Sequence, residues 1–354
     1  MTPFVLVLST AMAFLQGTLS PGTATDLQRL DAIGSTRIDQ LEKSAASGNI
    51  EAQLRLGLAY QNGYDSVSGE QVRRNPSTAV KWFRAAADQG NAVAQFKLGY
   101  ALVNGEGVRR NYVEAALWFR KAADNKHIAA QAYLGSMYSR GEGVAEDFEA
   151  AELWFRKAAM QGSSDGQAGL AGLYYRGQGV PQDLKEAIGW YRKAAEKGHA
   201  LSQFNYGMFY YKGEGVAQNR SEAAKWIRKA SDQGMGIAQV MLAEMYASGQ
   251  PFKQDFKEAL KWFRKAADQD HPAAQYNIAL MYSKGHGTSA DPVQAHMWAD
   301  LAIESSKAGQ QTDAIKLRDS IEAGLSPAQL AESRRIGREW RSRAASKPMP
   351  AEYR

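Results

Sequence analysis

The 354-residue chain contains no cysteine. This absence excludes disulfide bonds, thiolate-bound metal ions, a cysteine nucleophile and a lipidated N-terminal cysteine, but it does not by itself decide the compartment. A strong excess of one charge is also missing, because 43 Lys and Arg residues are interleaved with 37 Asp and Glu residues. That pattern is typical of solvated helix faces and argues against a nucleic-acid partner.

The apolar run Phe4–Leu15 has only 12 residues, which is too short to cross a bilayer but suits the core of a signal peptide. We expect residues 1–24 to be a signal peptide that is cleaved after Ala24, so that the protein is exported. No Lys or Arg precedes the run. An uncleaved membrane anchor and a misplaced start codon of a cytoplasmic protein therefore stay open as alternatives.

Tryptophan recurs at intervals of 36 residues, which indicates an internal repeat. The positions are Trp82, Trp118, Trp154, Trp190, Trp226, Trp262 and Trp298. We identify seven units over residues 49–306, each long enough for a helix, a turn and a second helix. Because each unit of such an array packs only on its neighbours, we expect one elongated all-α body.

The first helix of each unit starts with a small residue followed by Gln, as in Ala130-Gln131. Leu134, Gly135 and Tyr138 follow at offsets four, five and eight from Ala130, so all lie on one helix face. Glycine inside a helix costs about 0.5–1 kcal/mol relative to alanine, so its recurrence needs a packing reason. We expect the repeated Trp to be the large residue that approaches it.

A Gly-x-Gly turn such as Gly141-Glu142-Gly143 ends the first helix, and its first Gly suits a left-handed conformation. The second helix opens with Asn or Asp, which is Asp147 in this unit. Five units place Glu or Gln three residues later, as at Glu258, which predicts a capping box.

Both ends of the array are predicted to be capped. Residues 25–48 are interpreted as a half repeat that forms an N-terminal capping helix, and residues 307–345 as C-terminal capping helices. The last of these starts at Ser326 and carries five arginines, whose outer face can be polar because nothing stacks on it. Contact of this face with acidic lipid or nucleic acid is the alternative. Residues 346–354 are predicted to be a flexible tail.

The consensus A-Q-x-x-L-G-x-x-Y-x-x-G-x-G-V-x-x-D-x-x-x-A-x-x-W-x-x-K-A-A resembles the Sel-one-like repeat, a relative of the tetratricopeptide repeat. The resemblance covers Ala52 to Ile303 and implies an α/α superhelix (solenoid) with a concave groove. It further implies a bacterial, non-catalytic scaffold or adaptor that binds a peptide or protein in the envelope or outside the cell. A periplasmic regulator of a membrane signalling or polysaccharide system is the alternative.

No residue pattern predicts catalysis, a cofactor or a metal site. His127, His199 and His271 occupy one loop position in alternate units, where a helix-entry role explains them. Such loops lie several helix widths apart, too far to share a metal ion. His296 stands alone on its helix. A hydrolase is kept as a remote alternative, because carboxylate pairs can meet only in the folded chain.

Offsets three and six of each first helix are not fixed by core packing, and their residues vary between units. In related superhelices the first helices line the groove, so we predict that a monomeric protein contacts its partner here. The competing interpretation is that these positions vary because they only face water. The candidate residues are Arg55, Lys97, Tyr100, Tyr133, Asn205, Met208, Met241, Glu244 and Asn277.

Overall fold

A computed structural model describes residues 38–307 and 311–346. Over these ranges the chain forms 17 helices and no β-strand. The predicted signal peptide, residues 25–37 of the predicted N-terminal cap and residues 347–354 of the predicted tail lie outside the described residues.

Helix α1 (Ile38–Ala46) precedes the repeats, and each repeat contributes two helices. The first helices are α2 (Ile50–Asn62), α4 (Ala92–Asn104), α6 (Ile128–Arg140), α8 (Ser164–Arg176), α10 (Ala200–Lys212), α12 (Gly236–Ser248) and α14 (Pro272–Lys284). The second helices are α3 (Pro76–Asp88), α5 (Tyr112–Asp124), α7 (Phe148–Met160), α9 (Leu184–Glu196), α11 (Arg220–Asp232), α13 (Phe256–Ala267) and α15 (Pro292–Ser305). Helices α16 (Thr312–Glu322) and α17 (Pro327–Ser346) follow. The predicted all-α class and helix-turn-helix repeat are confirmed.

The described residues divide into two compact units, residues 38–194 and residues 195–346. In the first unit, α2 packs on α3, α4 on α5 and α6 on α7, and α3, α5 and α7 also pack on α4, α6 and α8, the first helices of the following repeats. The second unit has the same arrangement from α10 to α15, and α16 and α17 both pack on α15. Packing restricted to neighbouring repeats is characteristic of α-solenoids.

The glycine inside the first helices is required by a phenylalanine of the second helix. A Cβ atom added to Gly135 would lie 2.8 Å from Cδ1 of Phe155, which is closer than real Cβ contacts. The expectation that the repeated Trp fills this place is therefore wrong. Successive helical residues point about 100° apart, so Trp154 and Phe155 point in different directions. Trp154 is instead covered by the ammonium group of Lys157, 4.0 Å from its ring centroid.

The N-terminal caps of the second helices use only half of the predicted capping box. The Asp255 side chain accepts a hydrogen bond from the Glu258 backbone N–H at 3.0 Å, as expected. The Glu258 carboxylate does not return the bond, because it accepts one from the Trp262 indole N–H at 2.9 Å. The Asp255 backbone N–H donates instead to the carbonyl of Tyr246 at 3.0 Å. The glutamate thus orients the repeated Trp.

The glutamine that recurs in every first helix links consecutive repeats. The Gln131 side-chain amide donates to the Ala123 carbonyl at 3.2 Å, and its oxygen accepts from Gln161 at 2.7 Å. In the second unit, Gln239 donates to the Ser231 carbonyl at 3.2 Å. Buried amides need such partners, so this glutamine is part of the architecture rather than of a binding site.

Candidate functional site

The predicted candidate residues lie on the side of the first helices that carries offsets three and six, here called the first-helix face. Their accessibility differs widely. Lys97, Tyr100 and Glu244 are partly exposed, whereas the other six side chains are at most 9% exposed. Most candidate side chains of the first-helix face are therefore buried, and three of them reach solvent.

Arg55 holds a loop in place. Repeat one has six extra residues, Tyr64 to Gly69, and the Arg55 side chain donates from Nε to Asp65 of this loop at 2.8 Å. Both side chains are 1% exposed. Burial alone would raise the pKa of Asp65, but hydrogen bonds from Arg55 and Ser68 outweigh it and hold the pKa well below its usual range. We therefore leave Arg55 out of the candidate surface.

Asp65 was not predicted to be the partner of Arg55. A signal was available, because the only arginine at offset three occurs in the only repeat with a lengthened loop. An extra segment that packs on the first-helix face has to satisfy any charge that it buries.

Aromatic side chains form the first-helix face of the first unit. The rings of Tyr100 and Tyr133 meet edge to face with centroids 6.0 Å apart, and Tyr133 stacks on Phe119 at 5.1 Å. Burial raises the pKa of both tyrosine hydroxyls, so they stay neutral at physiological pH. Lys97 lies one turn from Tyr100 on the same helix. This region combines aromatic rings and hydroxyl groups with the partly exposed Lys97.

Methionine and a carboxylate characterise the first-helix face of the second unit. Met208 on α10 and Met241 on α12 are 7% and 6% exposed, and Glu244 follows Met241 by one turn. Burial raises the pKa of Glu244 to about 7. Among the described residues, none forms a hydrogen bond or an ion pair with this carboxylate. Asn277 on α14 is 2% exposed and donates to the Ala273 carbonyl at 2.9 Å, and Asn205 on α10 is fully buried.

Two of the loop histidines act in helix entry, as predicted. The Nδ1 atoms of His127 and His199 each accept a hydrogen bond at 3.2 Å from the backbone N–H three residues later. His271 occupies the same cap position, but its side chain makes no capping hydrogen bond. Within residues 38–307 and 311–346, no group of three or more His, Asp or Glu residues could hold a metal ion.

His296 is not alone, contrary to the prediction. Its Nδ1 lies 2.9 Å from Oγ of Ser333 on α17, and its Nε2 lies 3.4 Å from the carboxylate of Glu322 on α16. The pattern was missed because Ser333 is 37 residues away in the sequence and carries no motif. Ser333 and His296 are each 1% exposed, and Ser333 lies inside a helix whose backbone N–H groups are already bonded. Without access or an oxyanion-binding group, this set fastens the C-terminal helices and gives no support to a hydrolase.

None of the described helices is both long enough and apolar enough to cross a membrane.

The family model and the similar solved structures indicate the same repeat family. The model of the Sel1 repeat matches residues 50–91, 92–127, 128–163, 164–199, 200–235, 236–271 and 272–306. A Sel1 repeat protein from Oxalobacter formigenes is 33% identical, with 78% of this chain and 79% of that chain covered and a TM-score of 0.63. The protective antigen c5321 of uropathogenic Escherichia coli strains, which displays an SLR fold, is 29% identical, with 89% and 83% covered and a TM-score of 0.43. No curated protein matches the chain.

Proposed function

Because the chain belongs to the Sel1 repeat family, we propose that it is a non-catalytic scaffold or adaptor that binds a peptide or protein partner through its first-helix face. Sel1 repeat proteins generally mediate protein interactions. The choice of this surface as the binding site is based on the residue composition of the first-helix face. Its positions differ from repeat to repeat and include Tyr100, Tyr133, Met208 and Met241, residue types that are enriched where proteins meet.

The repeat architecture does not determine which side chains occupy these positions. Gly135, Phe155 and Gln131 are needed for packing and for links between repeats, and equivalent residues recur along the chain. Tyr100 and Lys97 have no such equivalents in the other repeats. Side chains that vary on a constant framework are a common basis of recognition in solenoid proteins.

A photo-crosslinking experiment tests the proposed surface. A benzophenone amino acid is placed at Tyr100, and a matched control places it at Lys81, which is exposed on α3 in the same unit. Irradiation of the native cells should give a discrete adduct from position 100 and none from position 81. The proposal is refuted if position 100 gives no adduct, or if both positions give the same adducts.

We also propose that the protein acts in the cell envelope or outside the cell, on the basis of the signal-like N-terminal sequence. Control of a membrane signalling or polysaccharide system is a second possible role for a scaffold in that location. Mass spectrometry of the mature protein should show an N-terminus just after Ala24. A cytosolic protein that still begins at Met1 would contradict the proposed location.

A further inference from the structure

A cavity of about 370 Å³ lies between α15, α16 and α17 in the second unit. None of the candidate residues of the first-helix face lines it. Its volume is within the range of small-molecule sites in proteins, about 300–1,000 Å³. Four arginines line the cavity, namely Arg318 from α16 and Arg334, Arg338 and Arg341 from α17. The cavity therefore has room for a small ligand and an excess of positive charge.

The two carboxylates that line the cavity already have cationic partners. Glu304 accepts a hydrogen bond from Arg341. An oxygen of Asp300 lies 3.9 Å from Nη1 of Arg318. These two pairs account for two of the four arginines. The negative charge of the cavity is therefore matched before the other two arginines are counted.

Arg334 and Arg338 are the two arginines that stay unpaired. Both are exposed, and neither forms a hydrogen bond or an ion pair with another residue in the part of the chain that the structure describes. They are four residues apart on α17, so they lie on the same helix face. Their neighbour Arg335 is different, because it binds Glu332 at 2.6 Å and also Glu339. Two unpaired guanidinium groups thus line one cavity.

Gly337 keeps part of this cavity open. Glycine inside a helix is less stable than alanine, so its presence in α17 needs a reason. A Cβ atom added here would lie 3.5 Å from Cγ of Met297 and 3.9 Å from Nη2 of Arg341, which are ordinary contact distances. Unlike Gly135, Gly337 is not required by close packing. A larger side chain at this position would instead occupy space in the cavity that it lines.

We propose that this cavity binds the phosphate group of a small phosphate monoester through Arg334 and Arg338. The site is separate from the first-helix face and does not depend on the proposed function. A phosphate monoester carries a charge of about −1.5 to −2 at pH 7, which matches two unpaired guanidinium groups. The planar donor fork of arginine binds phosphate oxygens in pairs. The carboxylates of Asp300 and Glu304 are neutralised by their own partners and so oppose this binding little.

The charge balance favours a monoester over the phosphodiesters of lipids and nucleic acids. A phosphodiester group carries a single negative charge, so it would leave one of the two guanidinium groups without a counter-charge. A nucleic-acid backbone also needs a row of free cations outside the cavity. On the adjacent surface of α17, Arg335 is instead neutralised by Glu332 and Glu339.

Isothermal titration calorimetry tests the proposal, with inorganic phosphate and glycerol 1-phosphate as probes. The wild type should bind both with a dissociation constant below about 1 mM, and dimethyl phosphate at least about tenfold more weakly. Arg338→Gln should weaken binding of the two probes by about 10- to 100-fold, because it removes hydrogen bonds to a charged group. The matched control is Arg335→Gln, which removes the same charge from the same helix but does not line the cavity. It should bind as the wild type does.

NMR of the arginine Nε–H groups gives a second measurement that needs no variant. Phosphate should shift the signals of Arg334 and Arg338 and leave that of Arg335 in place. The proposal is overturned if neither probe binds, or if Arg335→Gln weakens binding as much as Arg338→Gln. It is also overturned if dimethyl phosphate or vesicles of phosphatidylglycerol bind the wild type as well as the monoester does. Since Tyr100 is unchanged in every variant, these results leave the test of the proposed function independent.

Discussion

Replacing Glu244 by glutamine should stabilise the protein, and the gain should depend on pH. Glutamine has nearly the same shape as glutamate but stays neutral, so it removes the partly buried charge with little change in side-chain volume. A carboxyl group titrates near 4.5 in the unfolded chain, whereas burial raises the pKa of Glu244 to about 7 in the folded protein. Between these values the folded state binds more protons than the unfolded state.

The sign and the size of the effect follow from that difference. Below pH 4.5 the group is protonated in both states and costs nothing; as pH rises through 7 the folded state loses stability relative to the unfolded state. A difference of about 2.5 pKa units corresponds to an upper limit of about 3 kcal/mol above pH 8. Glu244→Gln should therefore match the wild type near pH 4.5 and exceed it by up to about 3 kcal/mol at pH 8.

Urea unfolding followed by circular dichroism at pH 4.5 and pH 8 measures this difference. The control is Glu149→Gln, which removes an exposed carboxylate from α7 and should change the stability little at either pH. Long repeat arrays need not unfold in one step, so the carboxyl carbon of Glu244 should also be titrated directly by NMR. A midpoint near 4.5, or an equal stability difference at both pH values, would refute the reasoning.

Two further predictions concern the framework. Gly135→Ala should lower the free energy of unfolding by about 1–3 kcal/mol because its Cβ meets Phe155. Gly189→Ala on α9 has open space for the new Cβ and should raise the free energy of unfolding by about 0.5–1 kcal/mol. Urea unfolding that moves both variants in the same direction would contradict the packing of Phe155 against Gly135. Asp65→Ala should lower the free energy of unfolding by about 3–5 kcal/mol because it leaves Arg55 buried without its partner. In the wild type, the contribution of this ion pair to stability should be lost only as pH falls below the usual range of an aspartate, since the pKa of Asp65 is lowered. A melting curve unaffected by Asp65→Ala would refute this role.

The repeat architecture could be predicted because it depends on local rules that recur. The left-handed Gly141, with φ of 64°, and the capping Asp147 are determined by backbone geometry and by unpaired N–H groups within one turn. These local rules do not determine which aromatic residue packs against Gly135. Trp154 and Phe155 are adjacent, and only the rotation of the second helix against the first decides which one faces Gly135.

The properties of the first-helix face depend on contacts between residues that are distant in the sequence. Offset three has the same helical geometry in every repeat. Arg55 nevertheless binds Asp65 of an inserted loop, whereas Tyr133 packs in an aromatic cluster with Phe119. His296 and Ser333 meet only because α17 folds back on α15. Periodicity predicts which side of a helix a residue occupies, but not which neighbours arrive there.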